Sequence, residues 1–193
     1  MTDLLDVPDW QYVSIEKSPK LDTIHAQYVK HPDVCVKCES TQIYKHGPKV
    51  TVFRDVPFRM KATVIKAQLT RYRCKDCSGV FVQPVTQIYQ GTRMTERCVE
   101  HIQRRCLKDT FKRIADDVGC DDRTVRKIAT DYVDKLNELH SVILPTMIGI
   151  DETTIDGKLR FIITDIEARK PIDMLENREK RFVSDYLYKH RND

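Results

Sequence analysis

Two Cys-x-x-Cys pairs, Cys35/Cys38 and Cys74/Cys77, constrain the fold of this 193-residue chain more than any other feature. Four thiolates that arrive as two closely spaced pairs match the ligand set of a tetrahedral zinc ion. The 35 residues between the pairs are enough for a small antiparallel sheet that brings them together. The sequence therefore predicts a structural zinc site with these four cysteines as ligands.

The remaining potential ligands fit the spacing less well. His31 and His46 lie near the first pair and are alternative ligands. Cys98, Cys106 and Cys120 show no pair spacing, so we interpret them as small buried hydrophobic residues rather than catalytic thiols.

The chain shows no targeting or membrane segment. Its N-terminus is acidic and lacks an export signal, and no apolar run approaches the roughly 18 residues that cross a bilayer. We therefore expect a cytoplasmic protein without a membrane partner. In that compartment thiols stay reduced, and cysteine pairs indicate metal binding rather than disulfides.

The basic residues are concentrated in one part of the chain. Residues 35–113 contain 17 Lys and Arg against 6 Asp and Glu, a net charge of +11, whereas the whole chain carries +4. Such a block is typical of proteins that bind a phosphate backbone, so double-stranded DNA is the predicted partner. Lys66, Arg71 and Arg73 fall on a predicted strand and are candidate DNA contacts on one sheet face or edge. On charge alone, a solvated basic sheet face explains the block equally well.

The pattern of strands and helices predicts a multidomain α+β protein. Alternating, β-branched segments dominate up to about residue 84, and the period changes to a helical one after Thr92. Short strands return after Pro145, and Asp156-Gly157 predicts a hairpin turn between two of them. The predicted regions are an N-terminal β-hairpin region at 1–34, a zinc-binding domain at 35–90, a helical domain at 91–144 and an α/β segment at 145–193.

Residues 110–130 match the pattern of a helix-turn-helix. Ala115 is small where the two helices would cross, and Gly119 permits the left-handed turn four residues later. The packing positions are all apolar: Ile114, Val118, Val125 and Ile128. Asp109 is the predicted cap of the first helix, and Asp121 or Asp122 that of the second.

A helix-turn-helix places its second helix in the major groove of DNA. The outward side chains of that helix are therefore candidate DNA contacts: Arg123, Thr124, Arg126, Lys127 and Thr130. A helical pair that binds another protein is the alternative interpretation.

Taken in their order along the chain, the cysteine pairs, the helix-turn-helix and the C-terminal strands resemble the N-terminal part of the ISL3 family of bacterial insertion-sequence transposases. The resemblance runs from about residue 10 to the end of the chain. It rests on five segments: Cys35–Cys38, Arg54–Pro57, Arg71–Cys77, the helix-turn-helix at 110–130, and Ile148–Glu152.

The resemblance implies a zinc-binding domain, a DNA-binding helical domain and a catalytic domain of RNase H-like fold. In that family two Asp and one Glu hold two divalent ions, which activate the attacking oxygen and stabilise the leaving one. Asp151 matches the first acid, with Glu152 and Asp165 as alternatives. The other two acids of the family would lie beyond Asp193, so the RNase H-like segment is expected to be partial.

The predicted function is therefore that of a truncated transposase that recognises insertion-sequence terminal repeats without a complete catalytic site. Mg²⁺ is expected only if a complete site is assembled. One alternative is an active transposase with Asp, Asp and Glu ligands that completes its site with another chain. The other is a non-catalytic regulatory or dimerisation protein, with a second copy or a full-length transposase as partner. Whether the chain is an enzyme stays open at this point.

Overall fold

A computed structural model of the protein describes residues 8–191. Residues 1–7 of the predicted hairpin region and residues 192–193 of the predicted α/β segment lie outside the described residues. The chain divides between Asp134 and Lys135 into two compact units, unit 1 and unit 2. Both units contain sheet and helix, in agreement with the predicted mixture of helices and strands.

Unit 1 is built on a five-stranded sheet in the order β1-β2-β4-β3, with β5 paired to β4. Its strands are β1 (Trp10–Lys17), β2 (Leu21–Tyr28), β3 (Ile43–Phe58), β4 (Lys61–Cys74) and β5 (Val80–Val82). The predicted hairpin of β1 and β2 is present. The sheet crosses the predicted boundary at residue 34, because Leu21–Gln27 pair in parallel with Ala62–Gln68. The hairpin and the zinc-binding strands are thus parts of one sheet.

Strand β4 buries opposite faces at its two ends. Ile65 and Leu69 belong to a core that includes Trp10 of β1, whose ring meets that of Tyr28 edge-on. Tyr72, of opposite parity, belongs to a separate core beside the first cysteine pair. Since successive side chains of a strand point to opposite faces, the two cores lie on opposite sides of β4.

Three helices follow the sheet of unit 1: α1 (Glu96–Cys106), α2 (Phe111–Val118) and α3 (Asp122–Leu139). The last five residues of α3 belong to unit 2. The Thr95 hydroxyl caps α1. The predicted cap of α2 was wrong: the Thr110 hydroxyl accepts from the backbone N–H of Arg113, because the Asp109 carboxylate is paired with Arg105. The Arg105 guanidinium lowers the pKa of Asp109 and also binds Asp117, which ties α1 to α2.

Unit 2 contains an antiparallel meander, β6 (Ile148–Ile155), β7 (Lys158–Asp165) and β8 (Lys170–Leu175), followed by α4 (Lys180–His190). The predicted Asp156-Gly157 turn joins β6 to β7 with positive φ at both residues, 52° and 69°. This is the backbone that a two-residue hairpin favours. Ile163 and Leu175 are buried in one cluster with Val183 of α4.

No helix within residues 8–191 is both long and apolar enough to cross a membrane.

Candidate metal centre and nucleic-acid interface

The four predicted cysteines converge at one end of the unit 1 sheet. The Sγ atoms of Cys35, Cys38, Cys74 and Cys77 all lie within 4.8 Å of one another. The Cys35–Cys77 and Cys38–Cys74 sulfur pairs are 3.8 Å and 3.7 Å apart. A tetrahedral zinc ion with Zn–S bonds of about 2.3 Å separates its sulfurs by about 3.8 Å. The cluster therefore fits a zinc ion in size and in donor chemistry.

Two similar turns position the thiols. A residue with positive φ follows the second cysteine of each pair, Glu39 (φ 58°) and Ser78 (φ 55°). In the first turn the backbone N–H of Cys35 donates to the Ser40 carbonyl (2.8 Å). In the second, that of Cys74, the last residue of β4, donates to the Gly79 carbonyl (3.0 Å). The thiols are held by backbone hydrogen bonds as well as by the sheet.

The surroundings favour the thiolate at Cys74 and disfavour it at Cys38. At Cys38 the backbone N–H of Ser40 acts to lower the pKa, but the Cys77 thiol and burial outweigh it and raise the pKa to about 12. Backbone N–H groups of Cys77 and Asp76 lower the pKa of the Cys74 thiol to about 7. Since zinc binds the thiolate, this brings one ligand near its metal-binding form at neutral pH. The alternative ligands are used elsewhere, because His31 Nδ1 hydrogen-bonds the Tyr72 hydroxyl (2.7 Å) and the His46 ring faces that of Tyr44 edge-on.

The three candidate DNA contacts on β4 are all exposed, but they do not share a face. Strand alternation places Lys66 on the face opposite to Arg71 and Arg73. Arg71 and Arg73 therefore lie together on one face at the zinc end, and Lys66 lies on the other face. That these three residues contact DNA stays a prediction.

The face that carries Arg71 and Arg73 also presents apolar and aromatic groups. Arg73 pairs across the sheet with Tyr44 on β3 and with Val80 on β5. Arg71 pairs with Val82, which is also exposed. Neither guanidinium group forms a hydrogen bond or ion pair within residues 8–191. A row of unpaired guanidinium groups beside a tyrosine ring is a surface that suits a nucleic-acid backbone.

The helix-turn-helix has the predicted geometry. Gly119 ends α2 with φ 74° and ψ 37°, the left-handed conformation. A Cβ at this position would lie 2.8 Å from Ala62 Cβ and 3.1 Å from an Arg54 guanidinium nitrogen. Gly119 is thus required both for its φ and for the close approach of the turn to β4. The predicted packing residues are buried with residues of α1, in a cluster of Met94, Cys98, Val99, Ile102, Ile114, Ala115, Val118, Val125 and Ile128.

The start of α3 agrees with one of the two predicted caps. The Asp121 carboxylate accepts from the backbone N–H of Arg123 at 2.8 Å, while Asp122 is the first helical residue. The predicted outward residues lie on the exposed side of the helix, with Thr124 half-buried: Arg123, Thr124, Arg126, Lys127 and Thr130. Arg126 stacks over the Phe111 ring at 5.4 Å, which holds its guanidinium near the start of α2.

An ion pair between a buried carboxylate and a half-buried arginine, which sequence analysis missed, joins the sheet to the helices. Asp55 on β3 is buried and accepts hydrogen bonds from the Thr95 hydroxyl (2.7 Å) and from the Arg97 guanidinium. The partners are about 40 residues apart in the chain. The only sequence signal was the Arg54–Pro57 segment, which we took as a mark of the family without assigning it a contact.

Asp151 lies in the middle of β6 and is exposed. Ile150 pairs with Ile163, which is buried with α4, so Asp151 points to the face opposite to α4. All three candidate acids are engaged locally: Asp151 accepts from the Glu152 N–H (2.8 Å), Glu152 pairs with Arg178 (3.5 Å), and Asp165 accepts from the Ala168 N–H (2.8 Å). Within residues 8–191, the four-cysteine cluster is the one group of three or more His, Cys, Asp and Glu side chains with metal-binding geometry.

Comparison with protein families agrees with this geometry. Residues 31–77 match the zinc-finger of transposase IS204/IS1001/IS1096/IS1165, and residues 83–133 match the helix-turn-helix domain of transposase family ISL3. The first match contains all four cysteines, and the second contains α1, α2 and the first two-thirds of α3. Neither the curated proteins nor the solved structures gave a match.

Proposed function

Because this chain carries the zinc-finger and helix-turn-helix domains of the N-terminal region of an ISL3-family transposase, we propose that it recognises the terminal repeats of an insertion sequence. Binding of DNA and of a structural zinc follows from the two domains themselves. The proposal adds the kind of target and the residues that contact it.

The observation that carries the proposal is the exposed side of α3. Val125 and Ile128 anchor the helix in the core, so Arg123, Lys127 and Thr130 point outward from its N-terminal half. Side chains at the start of such a helix reach base edges in the major groove. Arg and Lys donate to guanine O6 and N7, and this readout distinguishes one sequence from another.

The zinc end of the sheet would supply affinity rather than sequence preference. Arg71 and Arg73 carry unpaired positive charge on one face, and phosphate contacts of this kind are insensitive to base sequence. In this proposal the zinc ion holds the turns that carry Cys35 and Cys74, and thereby fixes the arginine face. Lys66, on the other face of β4, would contact DNA only if the duplex reached that side.

A selection experiment tests the proposal. The full chain, loaded with zinc, is incubated with a pool of random-sequence duplexes, and the bound fraction is amplified and sequenced. We expect enrichment of one sequence, bound at least about 10³-fold more tightly than random duplex. Arg123→Ala together with Lys127→Ala should abolish the enrichment while zinc content stays unchanged. A wild-type chain that binds no duplex, or binds all duplexes equally, would contradict the proposal.

An active transposase is a second candidate, and the position of Asp151 favours it. An exposed carboxylate in the middle of β6, an edge strand, could ligate Mg²⁺ together with carboxylates from another chain. The candidate predicts Mg²⁺-dependent nicking of duplexes that contain the selected sequence. Asp151→Ala should abolish nicking, whereas Asp156→Ala, in the exposed hairpin turn, should not. No nicking with any divalent ion would remove this candidate.

A regulatory or dimerisation role with a second copy or a full-length transposase stays a prediction.

A further inference from the structure

A groove of about 740 Å³ lies beside the N-terminal half of α3, between that helix and the segment from Tyr89 to Met94. None of the residues of the Tyr89–Met94 segment was among the predicted DNA contacts. The groove is lined by four basic side chains, from Arg54, Arg93, Arg123 and Lys127. Two of them, Arg54 and Arg93, come from outside the helix-turn-helix.

The backbone fixes the Tyr89–Met94 segment against β3. The N–H of Arg54 donates to the Arg93 carbonyl (2.8 Å), and the N–H of Thr95 donates to the Arg54 carbonyl (2.9 Å). Within the segment, the Thr92 hydroxyl donates to the Tyr89 carbonyl (2.9 Å) and accepts from the Met94 N–H (3.2 Å). Arg93 is therefore carried on an ordered turn and not on a loose loop.

The positive charge of the groove is not neutralised by the protein. Within residues 8–191 none of the four basic side chains forms a hydrogen bond or an ion pair. Two carboxylates, Asp121 and Asp131, also line the groove. Asp121 is engaged as the cap of α3. Four cations against two carboxylates leave an excess of positive charge.

Arg54 is held in place although it has no charged partner. Its guanidinium lies next to the turn at Gly119, and its charge is close enough to Cys120 to counter the rise in the pKa of that thiol caused by burial. A half-buried arginine without a counter-ion costs free energy unless an anion neutralises it. The groove is thus prepared for an anion beside the helix that enters DNA.

We propose that this groove binds the phosphodiester backbone of the DNA strand that flanks α3, with Arg93 and Arg54 as its phosphate contacts. The proposal rests on the proposed function, since it assumes that α3 lies in a major groove. Phosphate contacts at this place would fix the position of α3 along the duplex. Phosphate contacts position a protein on DNA in this way, while base contacts specify the sequence.

Fluorescence anisotropy of labelled duplexes over a range of salt concentrations tests the proposal. Two probes are used: the sequence selected by the wild-type chain and a random-sequence duplex. Arg93→Ala should weaken binding of both probes by the same factor. The slope of log K against log salt should fall in magnitude by about 1, the value for one lost phosphate contact. Arg93→Lys, which keeps the charge, should restore most of the slope.

The matched control is Arg104→Ala. Arg104 is exposed on α1, pairs only weakly with Glu100 (3.5 Å), and does not line the groove. The proposal is overturned if Arg93→Ala and Arg104→Ala give the same salt slope, or if Arg93→Ala weakens only the selected duplex. If the wild-type chain binds neither probe, the proposed function itself fails, and this inference fails with it.

Discussion

The zinc end and the helical end of unit 1 are ordered by different means. At the zinc end the buried side chains are few: Cys35, Tyr72, Cys74 and Phe81. Two of these four are themselves ligands. The helical end instead buries a continuous apolar cluster that spans α1, α2 and α3. Small modules that cannot bury enough apolar surface depend on a metal for their stability, whereas a packed helical core does not. One sheet thus joins a metal-dependent module to a packing-dependent one.

The largest effect is expected from loss of the metal, which should unfold the zinc end. Cys74→Ser removes a ligand with a lowered pKa, so zinc content should fall from one ion per chain to near zero and the zinc end should unfold. Structural zinc contributes on the order of 10 kcal/mol in comparable modules. Metal analysis under reducing conditions measures the first effect, and amide exchange measures the second.

Cys106→Ser is the matched control for this prediction. Cys106 is half-buried, lies outside the cluster, and donates only to the Gln103 carbonyl. Its loss should leave zinc content unchanged. The assignment of the site would be wrong if Cys74→Ser retained one zinc per chain.

A smaller effect is expected where the sheet meets the helices. Asp55→Ala removes a buried carboxylate that accepts hydrogen bonds from the Thr95 hydroxyl and the Arg97 guanidinium. Since hydrogen bonds to a charged group contribute about 1.5–3 kcal/mol each, unit 1 should lose about 3–5 kcal/mol of stability. Chemical denaturation followed by circular dichroism measures this loss. Since the variant keeps all four cysteines, zinc content should remain at one ion. Equal stability of Asp55→Ala and wild type would show that the pair does not hold the helices to the sheet.

A cavity in the helical end should lower the stability of the protein without releasing zinc from the folded state. Ile114 is fully buried, and Ile114→Ala should cost about 2–5 kcal/mol. Leu107→Ala is the control, because Leu107 is 60% exposed and surface substitutions usually change stability by no more than about 0.5 kcal/mol. If Ile114→Ala released zinc in the folded state, the two ends would not be independent.

The smallest effect tests the contact between the turn at Gly119 and strand β4. Gly119 and Gly91 share φ 74°, but a Cβ at Gly119 would meet Ala62 and Arg54, while one at Gly91 meets nothing within 4 Å. Both substitutions to Ala carry the left-handed backbone cost of roughly 1–2 kcal/mol. Only Gly119→Ala adds the clash, so its loss in a denaturation experiment should exceed that of Gly91→Ala. Equal losses would show that the turn can move away from β4.

What could be predicted from the sequence depends on how far apart in the chain the contacting residues lie. Cysteine spacing, the Ala115–Gly119 turn and the Asp156-Gly157 hairpin are local patterns, and each was confirmed because its geometry depends on neighbouring residues. The parallel pairing of β2 with β4 was not predicted, since no short-range pattern encodes it. The Asp55–Arg97 pair and the groove around Arg93 were missed for the same reason: their partners meet only after the sheet has formed.

Strand β4 has a consequence for the length of DNA that the protein can cover. Ala62, near its start, touches the turn of the helix-turn-helix, and Cys74, at its end, is a ligand of the metal centre. Twelve residue steps of strand span about 40 Å. At 3.4 Å per base pair this corresponds to about 12 base pairs, slightly more than one turn of B-DNA. The strand therefore sets the distance between the turn of the helix-turn-helix and the metal centre. Under the proposed function, in which α3 reads bases and the zinc end contacts phosphates, a nuclease footprint of the complex should be no shorter than that span.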